Sequence, residues 1–232
     1  MSERSRPRVS IILPTLNEAA VIEDTLRALP RRPEVEILLS DGGSRDDTVE
    51  RARPFVDRTL IVTGGRAAQL NAAAGASEGE ILLFLHADTR LPSGAPEAIE
   101  QALAHPKTAG GAFRLEIDSP RRLLRMIARF ANLRTRITRI PYGDQGVFVR
   151  REVFEALGGF RPLLLMEDLE FGRRMKHAGR VALLDLPVLT SPRRWEKEGA
   201  LYTTLRNILF VILYYAGVSP HRLVRWYRPV RS

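Results

Sequence analysis

Apolar residues in the first hundred positions fall into short β-branched runs, Val9 to Leu13, Val35 to Ser40, Leu60 to Val62 and Ile81 to Leu85, separated by amphipathic stretches. That alternation predicts βαβ units and a parallel sheet. The first intervening stretch places Ala19, Ile22, Leu26 and Leu29 on one face of a helix, the spacing needed to pack on such a sheet. Beyond residue 105 the alternation gives way to a mixed region. It predicts a strand at Ala112 to Ile117, a helical stretch from Arg121 to Ile140, a strand at Val147 to Arg150 and a short helix from Glu152 to Leu157. A helix opening at Glu167-Asp168 and a last strand near Val181 to Leu184 follow. From Leu201 to Val218 the pattern is helical and very apolar, and it leads into the arginine-rich tail HRLVRWYRPVRS.

Parallel sheets bind ligands beyond the carboxyl ends of their strands. The four loops there read Pro14-Thr15-Leu16-Asn17-Glu18, Asp41-Gly42-Gly43-Ser44, Gly64-Gly65-Arg66 and His86-Ala87-Asp88. Polar and glycine residues gather where a ligand would lie. No GxGxxG follows the first strand, which disfavours a dinucleotide-dependent dehydrogenase.

Composition narrows the picture further. The 232 residues, 44% hydrophobic and 27% charged, suit one compact domain with a helical appendage and argue against disorder. With no cysteine, disulfides and thiolate chemistry are excluded. The net charge of +9 attracts anions: nucleic acid, anionic lipid or phosphorylated small molecules. No nucleic-acid motif accompanies the charge, so a nucleic-acid partner is not expected. The apolar run after the basic N-terminus ends at Pro14, too early for an export signal, and Ile208 to Val218 is too short to span a bilayer. A cytoplasmic location is the expectation.

The order strand, PTLNE, helix, strand, DGGSRDDT, helix and a strand ending in HAD resembles the inverting family 2 glycosyltransferases of GT-A fold, over about residues 8 to 195. The segments YGDQGVFVRREVFEALGGF, MEDLEFGRRMKHAG and SPRRWEKEG resemble a bacterial subfamily with an unidentified acceptor. The resemblance implies an α/β GT-A domain over residues 1–200, with a nucleotide-binding half (1–105) and an acceptor half (106–200). A C-terminal extension of apolar helix and basic tail occupies 201–232. It implies transfer of a sugar from a UDP- or GDP-linked donor to an acceptor by metal-assisted inverting displacement. Two alternatives stand beside it: nucleotidyl transfer on a similar sheet, and a non-catalytic basic protein of the membrane surface.

Residue by residue, the resemblance puts Asp41 against the nucleotide base, where a carboxylate accepts a base N–H. Pro14, Thr15 and Glu18 match the segment that wraps the nucleoside, and Arg66 is suited to base or diphosphate oxygens. Each has a structural reading too. Asp41 with Ser44 can shape a turn, Pro14 can end the strand, and Glu18 can favour a helix N-terminus. Asp46 or Asp47 is read as a helix cap, and Asn71 as structural. Asp88 matches the aspartate that holds a divalent ion, Mn or Mg, across the two donor phosphates. His86 replaces the family's opening acid and is left outside the metal set. Asp168 is implied as the general base, with Glu167 tuning it or orienting the loop; capping charge is the rival for both. Asp144 and Gln145, in a glycine-flanked loop, are candidates for acceptor hydroxyls. Arg194 is a candidate for the diphosphate and Trp195 for stacking on a sugar, with core packing the rival for Trp195. Ser191 stands where processive relatives carry Gln in QxxRW, which argues against processivity.

The stretch from Arg121 to Ile140 carries seven arginines and no acid, with six of them within one arc of about 100° on a helix. With the apolar C-terminal segment it predicts peripheral docking at the anionic cytoplasmic leaflet, within reach of a lipid-linked acceptor. The rival buries the C-terminal helix against the sheet or against a second subunit in a homodimer.

Overall fold

The computed structural model describes residues 8–226; the last part of the basic tail, 227–232, lies outside the described residues. The chain runs β1 (Val9–Thr15), α1 (Ile22–Arg27), β2 (Val35–Asp41), α2 (Thr48–Ala52), β3 (Arg58–Ile61), α3 (Arg66–Ala76), β4 (Ile81–Phe84) and β5 (Thr89–Arg90). It continues through α4 (Ala95–Leu103), β6 (Thr108–Ile117), α5 (Arg122–Thr138), β7 (Val147–Arg150), α6 (Arg151–Ala156) and α7 (Glu167–Ala178). It closes with β8 (Arg180–Thr190), α8 (Arg193–Glu198), α9 (Ala200–Tyr215) and α10 (Pro220–Leu223).

The strands form one sheet in the order β3-β2-β1-β4-β7-β6-β8-β5. The pairs among β1 to β4 are parallel, as the alternation predicts, whereas β7 joins β4 antiparallel. Side chains alternate across a strand, so Ile11, Leu13, Ile37, Leu39 and Leu83 join α1 and α4 on one face. On the other face Ile12, Leu38, Leu82 and Phe84 join α3 and α7. With both faces covered, the parallel strands read as near-continuous apolar runs.

Several elements differ from the sequence reading, and β6 begins at Thr108 rather than Ala112. The first helix is shorter than its apolar spacing suggests, with Leu29 buried beyond its end. The last strand is longer, because Asp185 and Pro187 interrupt its apolar pattern; the structure absorbs them at a register shift against Phe113 and Arg114. In α5 the buried face is Leu124, Ala128 and Thr135, while Met126, Phe130, Leu133 and Ile137 are exposed. Asn132 sets that rotation: its amide donates to the Leu115 carbonyl at 2.9 Å and accepts from the Leu115 N–H at 2.8 Å.

The two halves join in the sheet where β7 pairs with β4, and β6 packs on β7 beyond it, with Gly110 opposite Val149 and Gly111 opposite Phe148. A Cβ on Gly111 would lie 2.3 Å from the Ala182 carbonyl oxygen and 2.4 Å from the Phe148 ring. Relieving that contact means moving backbone or a buried ring. Gly111→Ala is therefore expected to lower stability by about 1–3 kcal/mol in urea unfolding. Gly75→Ala, inside α3 with open space around it, should raise stability by about 0.5–1 kcal/mol. Equal effects of the two substitutions would refute this account of the β6–β7 junction.

Candidate functional site

The loops beyond β1, β2 and β4 lie side by side because their strands are neighbours in register, with Thr15 opposite Asp41. Asp41 is fully buried. One of its oxygens accepts from the N–H groups of Gly43 (2.9 Å) and Ser44 (2.7 Å), the other from the hydroxyls of Thr15 (3.0 Å) and Ser44 (2.5 Å). Its acceptor capacity thus goes into shaping the DGGS turn and holding that turn to the end of β1. Gln69 of α3, which sequence reasoning passed over, donates to the carbonyls of Thr15 (2.8 Å) and Ser40 (2.7 Å) and ties the two strand ends together. Asn17 adopts φ 55° and stitches the same loops, donating its backbone N–H to Ser44 and accepting from Arg45. Asp46 accepts from the N–H groups of Ala19 and Thr48, while Asn71 is bonded to the backbone of Phe160 in both directions.

Arg66, the first residue of α3, reaches the acid pair that opens α7. Its guanidinium binds Glu167, approaches His86 Nε2 at 3.0 Å and lies 3.6 Å from Asp168. Met166, held at φ 67°, turns the chain so that Glu167 and Asp168 enter the helix facing that cation. Pro14, Arg66, His86, Gly143 and Asp168 line one cleft.

The electrostatics of the cleft follow from burial and from this arginine. Burial lowers the His86 pKa to about 4, with the Arg66 charge adding to the effect. Its ring is neutral at pH 7 and can accept from Arg66. Burial alone would raise Asp168, but Arg66 and the N–H groups of Gly143 and Leu169, both at 2.8 Å, hold it below the usual carboxylate range. Burial raises Asp144 against the lowering influence of Arg134. Two neighbouring carboxyls are thereby tuned in opposite directions. Tyr142 packs under the Arg134 guanidinium, 3.2 Å from the ring centroid.

A second cation closes the other side. β5 pairs with β8, Thr89 opposite Thr190, and the Ser191 N–H donates to the Asp88 carbonyl at 3.1 Å. This delivers Arg193, which pairs with Glu18 at 2.5 Å and with Asp88 at 3.0 Å. Burial raises the Glu18 pKa, and Arg193 pulls it back only in part. Sequence reasoning favoured its neighbour Arg194, whose charge reaches His86 and Glu198. The QxxRW register singles out Arg194, and no signal in sequence marks Arg193 as the one that pairs with Asp88.

Other candidates are placed differently. Gln145 is buried, accepting from Thr135 (2.8 Å) and the Tyr142 N–H (3.2 Å) and donating to the Phe113 carbonyl. Trp195 packs on Ile117, Leu124 and Ala128. A larger hollow of about 340 Å³, built from α4 and β8, contains none of the candidate residues.

Among the described residues no three His, Cys, Asp or Glu side chains cluster as a ready metal cage. Asp88 alone fits an ion that takes its other ligands from phosphate oxygens and water, a familiar mode for magnesium-type ions. Arg193 engages only Oδ2 of Asp88.

The sequence model of glycosyl transferase family 2 matches residues 10–159, from β1 to just past α6. The chain belongs to that family. The fold is the family 2 GT-A type. Its similarity to S. aureus TarS 1-349, solved with UDP-GlcNAc, has a TM-score of 0.64 at 19% identity, covering 79% of this chain and 58% of that one. The mannosyltransferase PcManGT from Pyrobaculum calidifontis, solved with GDP-Man and Mn2+, matches with a TM-score of 0.60 at 26% identity, over 80% of this chain and 57% of that one. By sequence, the Bacillus subtilis protein named probable glycosyltransferase YdaM is 26% identical over 205 residues, covering 75% of this chain. The family 2 chain described here spans about half (47%) of the length of YdaM.

In this family 2 site, Arg66→Gln removes one of the two largest influences that keep His86 neutral. The His86 titration, followed by NMR of the ring, is expected to move up from about 4 towards its ordinary 6.5. An unchanged titration would assign the shift to burial alone. In the parent protein the unfolded chain binds this proton first, so His86 costs stability progressively as pH falls from about 6.5 to about 4.

Proposed function

We propose that the chain transfers a sugar from a UDP- or GDP-linked donor to an acceptor hydroxyl by an inverting displacement assisted by a divalent ion. The observation that carries this reading is that Asp88 and Asp168 both lie near enough to His86 for their charges to act on it, each beside an arginine that a diphosphate can recruit. Pro14, Thr15, Glu18 and Asp41 frame the nucleoside side, where Asp41 meets the base once the Ser44 hydroxyl stops donating to it and frees one of its lone pairs. Arg66 and Arg194 serve the diphosphate. Asp88 would hold a divalent ion, Mn or Mg, which would supply neutralisation of the charge that builds on the leaving phosphates.

Asp168 takes the proton of the acceptor hydroxyl as that oxygen attacks the anomeric carbon. The bond from that carbon to the diphosphate oxygen breaks, and the nucleoside diphosphate leaves with the electron pair. Arg66 ties the base to donor binding. While the guanidinium faces Asp168 it stabilises the carboxylate and weakens it as a base. A diphosphate that draws Arg66 away restores basicity only when donor is present. Glu167 holds Arg66 in place until the donor binds, and Asp144 offers its carboxyl to an acceptor hydroxyl. Gln145 supports the acceptor loop from beneath, and Trp195 supports α5. Residues 1–105 act as the donor half and 106–200 as the acceptor half, with a lipid-linked acceptor presented at the cytoplasmic leaflet.

A panel of UDP- and GDP-sugars, scored for turnover with and without Mn2+, tests the reading. Asp168→Asn keeps shape but removes the proton acceptor, so transfer should fall by about two to four orders of magnitude with donor affinity retained. Asp88→Asn should weaken Mn2+-dependent donor binding and turnover together. Full turnover by Asp88→Asn, or indifference to a chelator, would remove the ion from the mechanism. A loss of donor affinity in Asp168→Asn would move that residue to the nucleotide side.

A further inference from the structure

Two neighbouring helices turn apolar faces to solvent. In α9, Leu201, Leu205, Ile208, Leu209, Ile212 and Tyr215 fall within an arc of about 120°, and all are at least half exposed. The opposite side of that helix, Thr203, Arg206 and Phe210, is buried. In α5, Phe130 (63% exposed) and Ile137 (73%) stand with Met126 and Leu133 in an arc of about 60°. Arg122, Arg125, Arg129 and Arg136, all exposed, fill the adjoining arc of about 60°. The helices lie along one another. Ala200 packs with Leu124 and Ala128 at one end. At the other, Tyr215 lies under Arg173 of α7 and near Tyr142, which Arg134 of α5 covers.

We infer that the exposed faces of α5 and α9 form one docking surface for an anionic lipid bilayer, seated beside the mouth of the cleft. An apolar arc of Leu, Ile and Phe flanked by arginines is the pattern of a helix lying in the headgroup region. Exposed Tyr202, Tyr215 and Trp226 add residues that favour that boundary. Charge selects the occupant. Helix α5 has no acidic residue, so two copies meeting through this face would bring like arginine rows together, whereas anionic headgroups complement them. No helix of the described residues is long and apolar enough to cross a membrane, so the contact is with the surface. The inference rests on the transferase reading only for its purpose, access to a lipid-linked acceptor; the binding itself needs no donor.

Co-sedimentation of the full chain with phosphatidylcholine vesicles, with and without phosphatidylglycerol and in the absence of nucleotide sugar, tests it apart from catalysis. Binding should require the anionic lipid and weaken with salt. The combination Arg122→Gln, Arg125→Gln and Arg129→Gln should weaken it by about a hundredfold. Phe130→Ser with Leu205→Ser should weaken binding to the same vesicles while leaving its salt dependence in place. A cooperative thermal unfolding transition close to the parent's shows that each variant is folded. Absence of binding to anionic vesicles at low salt would overturn the inference, as would equal binding to neutral ones. A concentration-dependent dimer abolished by the two serine substitutions would assign the face to a second copy instead.

Discussion

Carboxylates taken out of water must be paired, and the arrangement of this protein's cleft follows from that requirement. Parallel strands bring Glu18, Asp41 and Asp88 to one edge of the sheet, and α7 adds Glu167 and Asp168 from the other half. Each finds its own compensation. Asp41 is met by hydroxyls and backbone N–H groups, the α7 pair by Arg66, and Glu18 with Asp88 by Arg193. The latter two arginines come from far along the chain, so the ion pairs also fasten the halves of the fold together. In the proposed cycle, pairs that balance the empty cleft are exchanged for contacts with the donor.

The second half of the chain is not a continuation of the parallel sheet. β7 enters antiparallel beside β4, β6 follows it, and β8 returns parallel to β6 before pairing with the two-residue β5. Glycines at 110 and 111 let these strands cross closely, and the β5–β8 pair carries the segment with Arg193 back over Asp88. Helix α5 leans on the same region through Asn132. That contact turns its hydrophobic arc outward, and the arginine row ends up beside an apolar surface.

Much of this was legible in the sequence. The βαβ order, the strand-end loops and the family resemblance rested on local patterns, since apolar runs and strand-end polar residues follow from side-chain periodicity and from ligand binding at carboxyl ends. Asp88, Arg66, Glu167 and Asp168 could be singled out because each sits at a predicted boundary. The length of β8, hidden by Asp185 and Pro187, could not, because a register shift is a property of two strands rather than one.

What the tertiary structure alone decided is which charges meet. Local sequence cannot show that Arg193 rather than Arg194 meets Asp88, fill the acceptor capacity of Asp41 from its own turn and from Thr15, or bury Gln145 beneath the loop it was expected to decorate. It gives the periodicity of α5 but not its rotation, which Asn132 sets by bonding to a strand seventeen residues away. Composition and periodicity are encoded along the chain and constrain elements one at a time. Ion pairing and burial depend on groups up to about a hundred residues apart, such as Arg66 and Glu167, and exist only once the elements have packed.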